Sequence, residues 1–452
     1  MLKFSLQEAA NAVSGTIYNI DAKAEVLSVT TDSRSIAQGS LFVALKGEFF
    51  DGHAFAQNAV AGGAICVLSH EDLGNLPHIR VKDTKYALLD LAKWYLEQFD
   101  VPIIGITGSA GKTTTKDMIA AVLSQKFNVI KTEGNYNNEV GLPLTVFRID
   151  NTTEIAVLEM GMNQFGEIHN LSRVGTPEVC IITNIGDAHI GNLGSREGIL
   201  KAKSEIFDFA DENAVAILNG DDVLLNKISP NVSKILYFGM DESHFCHFEK
   251  LSDFGLDGTS WRITGAGERF EITIPLPGDY LAYNAAAAVS VGIHFGVQGA
   301  DISKAFESFR PSKNRMDIFK INGATFINDV YNASPPSMEA MIDSIASSEG
   351  RKICVFGDML ELGHESSKYH EEIGRYAGEA KVDSLILQGE FSKDYERGFR
   401  QVSDNEVFCL NDVGQVTDKI KEYVVPGDTV LIKASRGMTF ERIIEELKDK
   451  RC

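Results

Sequence analysis

Nine consecutive residues, Thr107-Gly108-Ser109-Ala110-Gly111-Lys112-Thr113-Thr114-Thr115, carry the clearest chemistry in this chain. They lie between an apolar segment, Val101 to Thr107, and a long helical one. Glycine at 108 and 111 lets backbone N–H groups curl around phosphate oxygens, and the helix start adds positive potential. Lys112 is placed to reach terminal phosphates and the Thr113 hydroxyl to ligate magnesium. The run departs from the strict phosphate-loop pattern, since Ile106 stands where that pattern has its first glycine. A chance Gly-rich turn is the alternative, and the strand-then-helix context argues against it.

Three further groups share that edge of a sheet. Glu159 closes an apolar strand and is a hard oxygen ligand suited to magnesium beside Thr113; taken alone it reads as an exposed strand-end acid. Asp187-Ala188-His189 follows the strand ending at Asn184, and an imidazole there can ligate a metal or serve as an ordinary polar residue. Lys201-Ala202-Lys203-Ser204-Glu205-Ile206-Phe207 reads as a helix start that brings a lysine to the same edge, with a solvated basic turn as the alternative.

The elements that must position these groups follow from periodicity. A strand from Leu41 to Leu45, a helical stretch from His53 to Ala61 and a strand from Ala64 to Leu68 form a small α/β unit, which we bound at residues 1–98. Residues 99–311 alternate strands (Glu154 to Met160, Glu178 to Asn184, Ala214 to Asn219) with helices, as a mainly parallel sheet requires. Thr259 to Ile274 alternates polar and apolar and predicts antiparallel strands before an Ala-rich helix near Asn284. Residues 312–452 restart the pattern with strands at Thr325, Lys352, Ser384, Glu406 and Thr429, a doubly wound third domain. Met240 to Gly258 reads as a loop, and His244, Cys246 and His247 within it as surface residues with the wrong spacing for zinc.

At 452 residues the chain exceeds a single core. Its 63 acidic against 43 basic residues give a net charge of -20, with no basic run to track a phosphate backbone, so nucleic acid is not an expected partner. No window is apolar and long enough to span a bilayer, which predicts a cytoplasmic protein. Cys66, Cys180, Cys246, Cys354, Cys409 and Cys452 are scattered and read as thiols.

The loop 107–115, the stretch Gly134-Asn135-Tyr136-Asn137-Asn138 to Gly141-Leu142-Pro143, Glu159, His189 and the Lys-Ala-Lys helix resemble the Mur ligases, in this order and across the whole chain. That resemblance implies a small α/β UDP-substrate domain, a central P-loop-type ATPase domain and a C-terminal Rossmann-like domain. It also implies ATP, two magnesium ions, an acyl phosphate and closure of the C-terminal domain over the nucleotide. Thr107, Gly108, Ser109, Ala110, Gly111, Lys112, Thr113 and Thr114 then bind ATP together with Asn284, Arg315 and Asp329. Thr31, Ser33, Arg34, Asp51, Gly52, His53, Asn135 and Asn138 fall to the UDP substrate. Thr113, Glu159, His189 and Lys203 hold metal, Lys203 as a carbamate, and Lys112, His189 and Lys203 are catalytic.

Asn328 to Pro335 and Gly357 to Gly363 resemble the branch that adds D-alanyl-D-alanine to a UDP-muramoyl tripeptide; the Asp-Asn-Pro-Arg motif of the branch that adds lysine or diaminopimelate is absent. A monomer is expected. Where the family has Gly-x-His-Asn-x-x-Asn, this chain reads Gly278-Asp279-Tyr280-Leu281-Ala282-Tyr283-Asn284, so only the glycine and the last asparagine are kept. A sister ligase adding one amino acid, a folylpolyglutamate synthetase and a non-catalytic nucleotide-gated module remain as alternatives.

Overall fold

The computed structural model describes residues 2–47, 50–312, 314–346 and 348–449; Cys452 lies outside them. Three main sheets organise the chain. A five-stranded sheet is built from Thr16–Tyr18, His78–Arg80, Ala64–Ser69, Ser40–Val43 and Ser28–Thr30, in that order. The helix Thr84–Leu96, capped by Asp83, follows it. Tyr95 ties this region to the next: its hydroxyl accepts from Leu2 N and donates to Ile149 O, each at 2.7 Å.

The nine-stranded central sheet is parallel over most of its width. Ile103–Thr107 lies in its interior, between Val179–Ile182 on one side and Ile155–Glu159 on the other. All five residues of Ile103–Thr107 are buried, as expected of a strand with helices on both faces. Because parallel neighbours end at the same edge, the loop after Thr107, the Glu159 carboxylate and the segment after Ile182 are brought together by topology alone. The helix Leu281–His294 packs on the helix Lys112–Leu123 and on the central sheet, with Ala285 to Ala288 each at most 1% exposed. A Cβ at Gly292 would stand 2.6 Å from Val122, so this approach depends on small residues.

The third sheet has the order Asp317–Ile321, Ala324–Asp329, Thr429–Lys433, Lys352–Phe356, Ser384–Gln388 and Glu406–Leu410, parallel after an antiparallel first pair. Among the described residues no helix is long and apolar enough to cross a membrane.

Two expectations are corrected. Met240 to Gly258 is not simply a loop, because Cys246–Asp253 is a strand of the central sheet. Its register slips between Lys250 and Ser252, and that irregularity breaks the alternation by which a strand is read. Cys246 is buried in the core rather than on the surface, and His247, its neighbour in the strand, points to the opposite face, which rules out a shared metal site. Lys201 to Ser204 is the last turn of the helix Arg196–Ser204, not a helix start, and the chain continues as a 3-10 turn over Glu205–Phe207.

Candidate active site

The helix Lys112–Leu123 begins from Gly111, whose φ is 79°. An added Cβ would stand 2.7 Å from Asn284 Oδ1 at Gly111 and 1.8 Å from Thr183 Oγ1 at Gly108, so both positions require glycine. The next strand's end holds the loop from the side. Ser109 N donates to Asn184 O at 3.0 Å, Ala110 N to Asn184 Oδ1 at 2.9 Å, and Thr183 Oγ1 to Ala110 O at 2.6 Å. The loop is therefore shaped by the protein itself, leaving the first-turn amides of the helix free to face a ligand. Lys112 Nζ folds back to donate to Gly108 O at 2.7 Å. Burial lowers its pKa and Arg315 adds to that, against the opposing pull of Glu159 and Glu361.

Glu159 is 1% exposed. One carboxylate oxygen accepts from Asn137 Nδ2 at 2.8 Å, while the other has no hydrogen-bond partner among the described residues. Lys116 Nζ lies 3.9 Å from that second oxygen and 3.4 Å from Asp117. Burial pushes the Asp117 carboxyl up, and Lys116, Lys131 and Ser312 more than reverse it. His189 sits in the left-handed region at φ 64°, its Nδ1 2.9 Å from Glu361 Oε2. Asp187, by contrast, is held by Arg196 at 2.6 and 2.7 Å. Lys203 is 1% exposed and makes no hydrogen bond or ion pair among the described residues. Burial, and then Lys112, hold its pKa well below the usual lysine range.

The C-terminal sheet completes the site. Arg315 donates to Thr113 Oγ1 at 3.0 Å and stacks 3.8 Å over the Tyr331 ring. Lys433 pairs with Asp329 and donates to Asn332 O at 2.8 Å. Between the two sheets opens a cavity of about 760 Å³. Among the described residues, three buried polar atoms on its wall lack hydrogen bonds: Glu159 Oε2, Asn284 Nδ2 and Arg315 Nε. Such atoms are costly unless a ligand meets them, and their convergence marks the binding site.

Of the residues singled out in the sequence, Ser109 to Thr114 line this cavity with Asn135, Asn138, Glu159, His189, Asn284, Arg315 and Asp329. Thr107 and Gly108 form the base of the loop, and Lys203 lies outside the cavity wall. Asn138 spends its side-chain oxygen on the amides of Val140 and Gly141 at the start of the helix Gly141–Val146. Thr31, Ser33, Arg34, Asp51, Gly52 and His53 are not in the cavity. Arg34 grips Asp32 with a bidentate contact at 2.8 and 2.9 Å and stays exposed. Asp51 accepts from His53 N at 3.0 Å and lies 2.6 Å from His53 Nδ1, which holds its pKa down to about 2. His53, His70 and Glu71 bring ligating atoms within 4.8 Å of one another. Both ring nitrogens of His53 are already engaged there, Nε2 by His70 N at 3.4 Å.

Family models match the chain in three segments: the Mur ligase family catalytic domain over residues 25–99, the Mur ligase middle domain over 106–292, and the Mur ligase glutamate ligase domain over 314–436. A Bacillus subtilis (strain 168) relative is 40% identical over 456 residues, covering 99% of each chain. The chain belongs to the Mur ligase family. That relative is named UDP-N-acetylmuramoyl-tripeptide--D-alanyl-D-alanine ligase. A crystal structure of MurF from Acinetobacter baumannii superposes with a TM-score of 0.91 at 30% identity, covering 100% of both chains. The Thermotoga maritima MurF complex with ADP matches at 0.82 and 30% identity, over 93% of this chain and 96% of that one.

Several residues of this Mur ligase's cavity are given no role by the sequence. Lys116 sits one turn after Lys112 and reads as a solvated helix lysine, yet it is 1% exposed. Asn137 and Glu361 lie within motif stretches but without an assigned role, whereas Lys433 and Arg436 are single polar residues at or just past a strand end; tertiary placement brings all four to the cavity.

Proposed function

We propose that this Mur ligase joins D-alanyl-D-alanine to UDP-N-acetylmuramoyl-tripeptide at the expense of ATP, in the synthesis of peptidoglycan precursors. The observation that carries the reading is the cavity, where the phosphate-type loop of the central sheet faces Arg315 and Asp329 of the C-terminal sheet. The end-to-end likeness to the Bacillus subtilis ligase supports the same substrates. We divide the chain at 98/99 and 311/312, and assign UDP-substrate contacts to Thr31, Ser33, Arg34, Asp51, Gly52, His53, Asn135 and Asn138.

In this reading the substrate carboxylate attacks the γ-phosphorus, the bond to the bridging oxygen breaks and ADP departs. The dipeptide amine then attacks the acyl carbon, the C–O bond to phosphate breaks, and the amine loses a proton. Both steps bring anions together, so positioned cations lower the barrier. Lys112 gives up Gly108 O for phosphate oxygens, the loop amides cradle them, and Asn284 offers its unpaired amide to the base. The donor set fits magnesium: a buried Glu159 oxygen without a hydrogen bond among the described residues, beside the cavity that holds the Thr113 hydroxyl. Thr113, Glu159, His189 and a carbamylated Lys203 would hold it, and magnesium would neutralise charge on the phosphates.

Phosphate release from ATP with UDP-muramoyl tripeptide, with and without D-alanyl-D-alanine, tests the reading. Release that depends on the dipeptide supports it. Release that responds instead to lysine or diaminopimelate with a UDP-muramoyl dipeptide, or nucleotide binding without release, would overturn it.

A further inference from the structure

Among the described residues, five lysine and arginine side chains line the interdomain cavity. Four are engaged: Lys85 by Glu139, Lys112 by Gly108 O, Arg315 by Thr113 and Lys433 by Asp329. The Arg436 guanidinium makes no hydrogen bond or ion pair among the described residues. Its exposed guanidinium lies 5.5 Å from the centre of the Tyr331 ring, the ring on which Arg315 also stacks.

The backbone that presents Arg436 is fixed. Ser435 donates its amide to Asp358 O at 3.1 Å, and its hydroxyl accepts from Leu360 N at 2.9 Å. At Gly437 a Cβ would stand 2.8 Å from Leu360 Cδ1, so the turn is closely packed on both sides of the arginine. An arginine on such a base, stacked on an aromatic ring and left without an acid in a chain of net charge -20, is a ready fork for a carboxylate from solution. The neighbouring wall contains Ala333, Pro336 and Leu360, small or apolar surfaces suited to methyl side chains.

The acceptor in the reaction proposed above carries a carboxylate at the end opposite its attacking amine. In so acidic a chain that carboxylate needs a local cation. We infer that Arg436 anchors the terminal carboxylate of the incoming dipeptide and so sets specificity for it, an inference that rests on the reaction proposed above. Tyr331 keeps the guanidinium plane oriented between uses.

Steady-state kinetics with Arg436→Ala and Arg436→Lys test this. Loss of a charge-assisted contact should raise KM for D-alanyl-D-alanine about 10- to 100-fold. The lysine variant should fall between, and KM for ATP and for the UDP substrate should stay near wild type. The wild-type enzyme should use D-alanyl-D-alaninamide poorly, and Arg436→Ala should use acid and amide equally. Melting temperature should hold, because the side chain is exposed. A KM for ATP that rises as much as that for the dipeptide, or a variant that still prefers the acid over the amide, would overturn the inference. Wild-type enzyme with no dipeptide-dependent turnover would instead overturn the proposed reaction itself.

Discussion

Arg315 donates to the Thr113 hydroxyl at 3.0 Å, across 202 positions of sequence and from one main sheet to the next. The contact joins the C-terminal sheet directly to the first turn after the Gly-rich loop. It places a C-terminal guanidinium on the residue that follows Lys112, at the point where phosphate charge must be met. Arg315→Ala should reduce kcat/KM for ATP by on the order of 10²-fold, the typical cost of one preorganised charge-stabilising group. Turnover within about threefold of wild type would remove Arg315 from the nucleotide site.

The same pair of cations makes a prediction about pH. Lys112 works as an ammonium, so activity that depends on it is present below its pKa and lost as pH rises through it. Burial and Arg315 lower that pKa. Removing Arg315 removes one lowering influence, and the alkaline limb of kcat/KM for ATP should move to higher pH in Arg315→Ala. Lys112→Ala should lower turnover about 10²- to 10³-fold at every pH. An alkaline limb that stays in place in Arg315→Ala separates the two groups and refutes the coupling.

The loop, Glu159 and His189 are legible in the sequence because each sits at or just past the end of an apolar strand, and parallel strands deliver their ends to one edge. Lys203 is singled out by the Lys-Ala-Lys pattern rather than by the helix boundary, which lies elsewhere: it falls in the last turn of the helix Arg196–Ser204. Lys116 carries no such frame, and Glu361 and Arg436 lie in loops beyond the strands Lys352–Phe356 and Thr429–Lys433, where strand-end placement no longer says which side chain faces the cavity. Whether a lysine in a helix is solvated or sealed depends on tertiary packing, and here Lys116 is buried with its Nζ 3.9 Å from the Glu159 carboxylate at the end of a neighbouring strand. The strand Cys246–Asp253 was hidden by its own irregular register.

Gly108 offers a test of the loop's shape. A side chain there must adopt φ 151° and place Cβ 1.8 Å from Thr183 Oγ1, the hydroxyl that holds Ala110 O. Gly108→Ala should cost about 1–3 kcal/mol in denaturant unfolding and weaken nucleotide binding together, since strain and a broken loop contact act at once. Unchanged stability would show that the loop relaxes freely and is not preshaped by Thr183.

Lys203 is sealed from water and pushed well below the usual lysine range, first by burial and then by Lys112. A neutral amine is the form that attacks carbon dioxide: the N–C bond forms, a proton leaves the nitrogen, and the product carries two anionic oxygens of the kind magnesium prefers. As an unmodified amine the same residue is a stability cost. Between the lowered folded-state pKa and the ordinary lysine value of about 10.4 the unfolded chain binds a proton at Lys203 that the folded chain does not, so in that window stability at this site rises with pH and the penalty fades. In buffer free of carbon dioxide, Lys203→Met should therefore melt higher than wild type at neutral pH, by a margin that shrinks as pH rises, while losing most activity. Lys203→Ala should regain part of its activity with acetate, whose oxygens replace those of the carbamate, and Lys201→Ala should be milder. Wild-type activity should fall when carbon dioxide is stripped and return with bicarbonate. A Lys203→Ala enzyme of near-normal turnover, or a defect that acetate leaves unmoved while wild type ignores bicarbonate, would leave Lys203 as a buried structural amine.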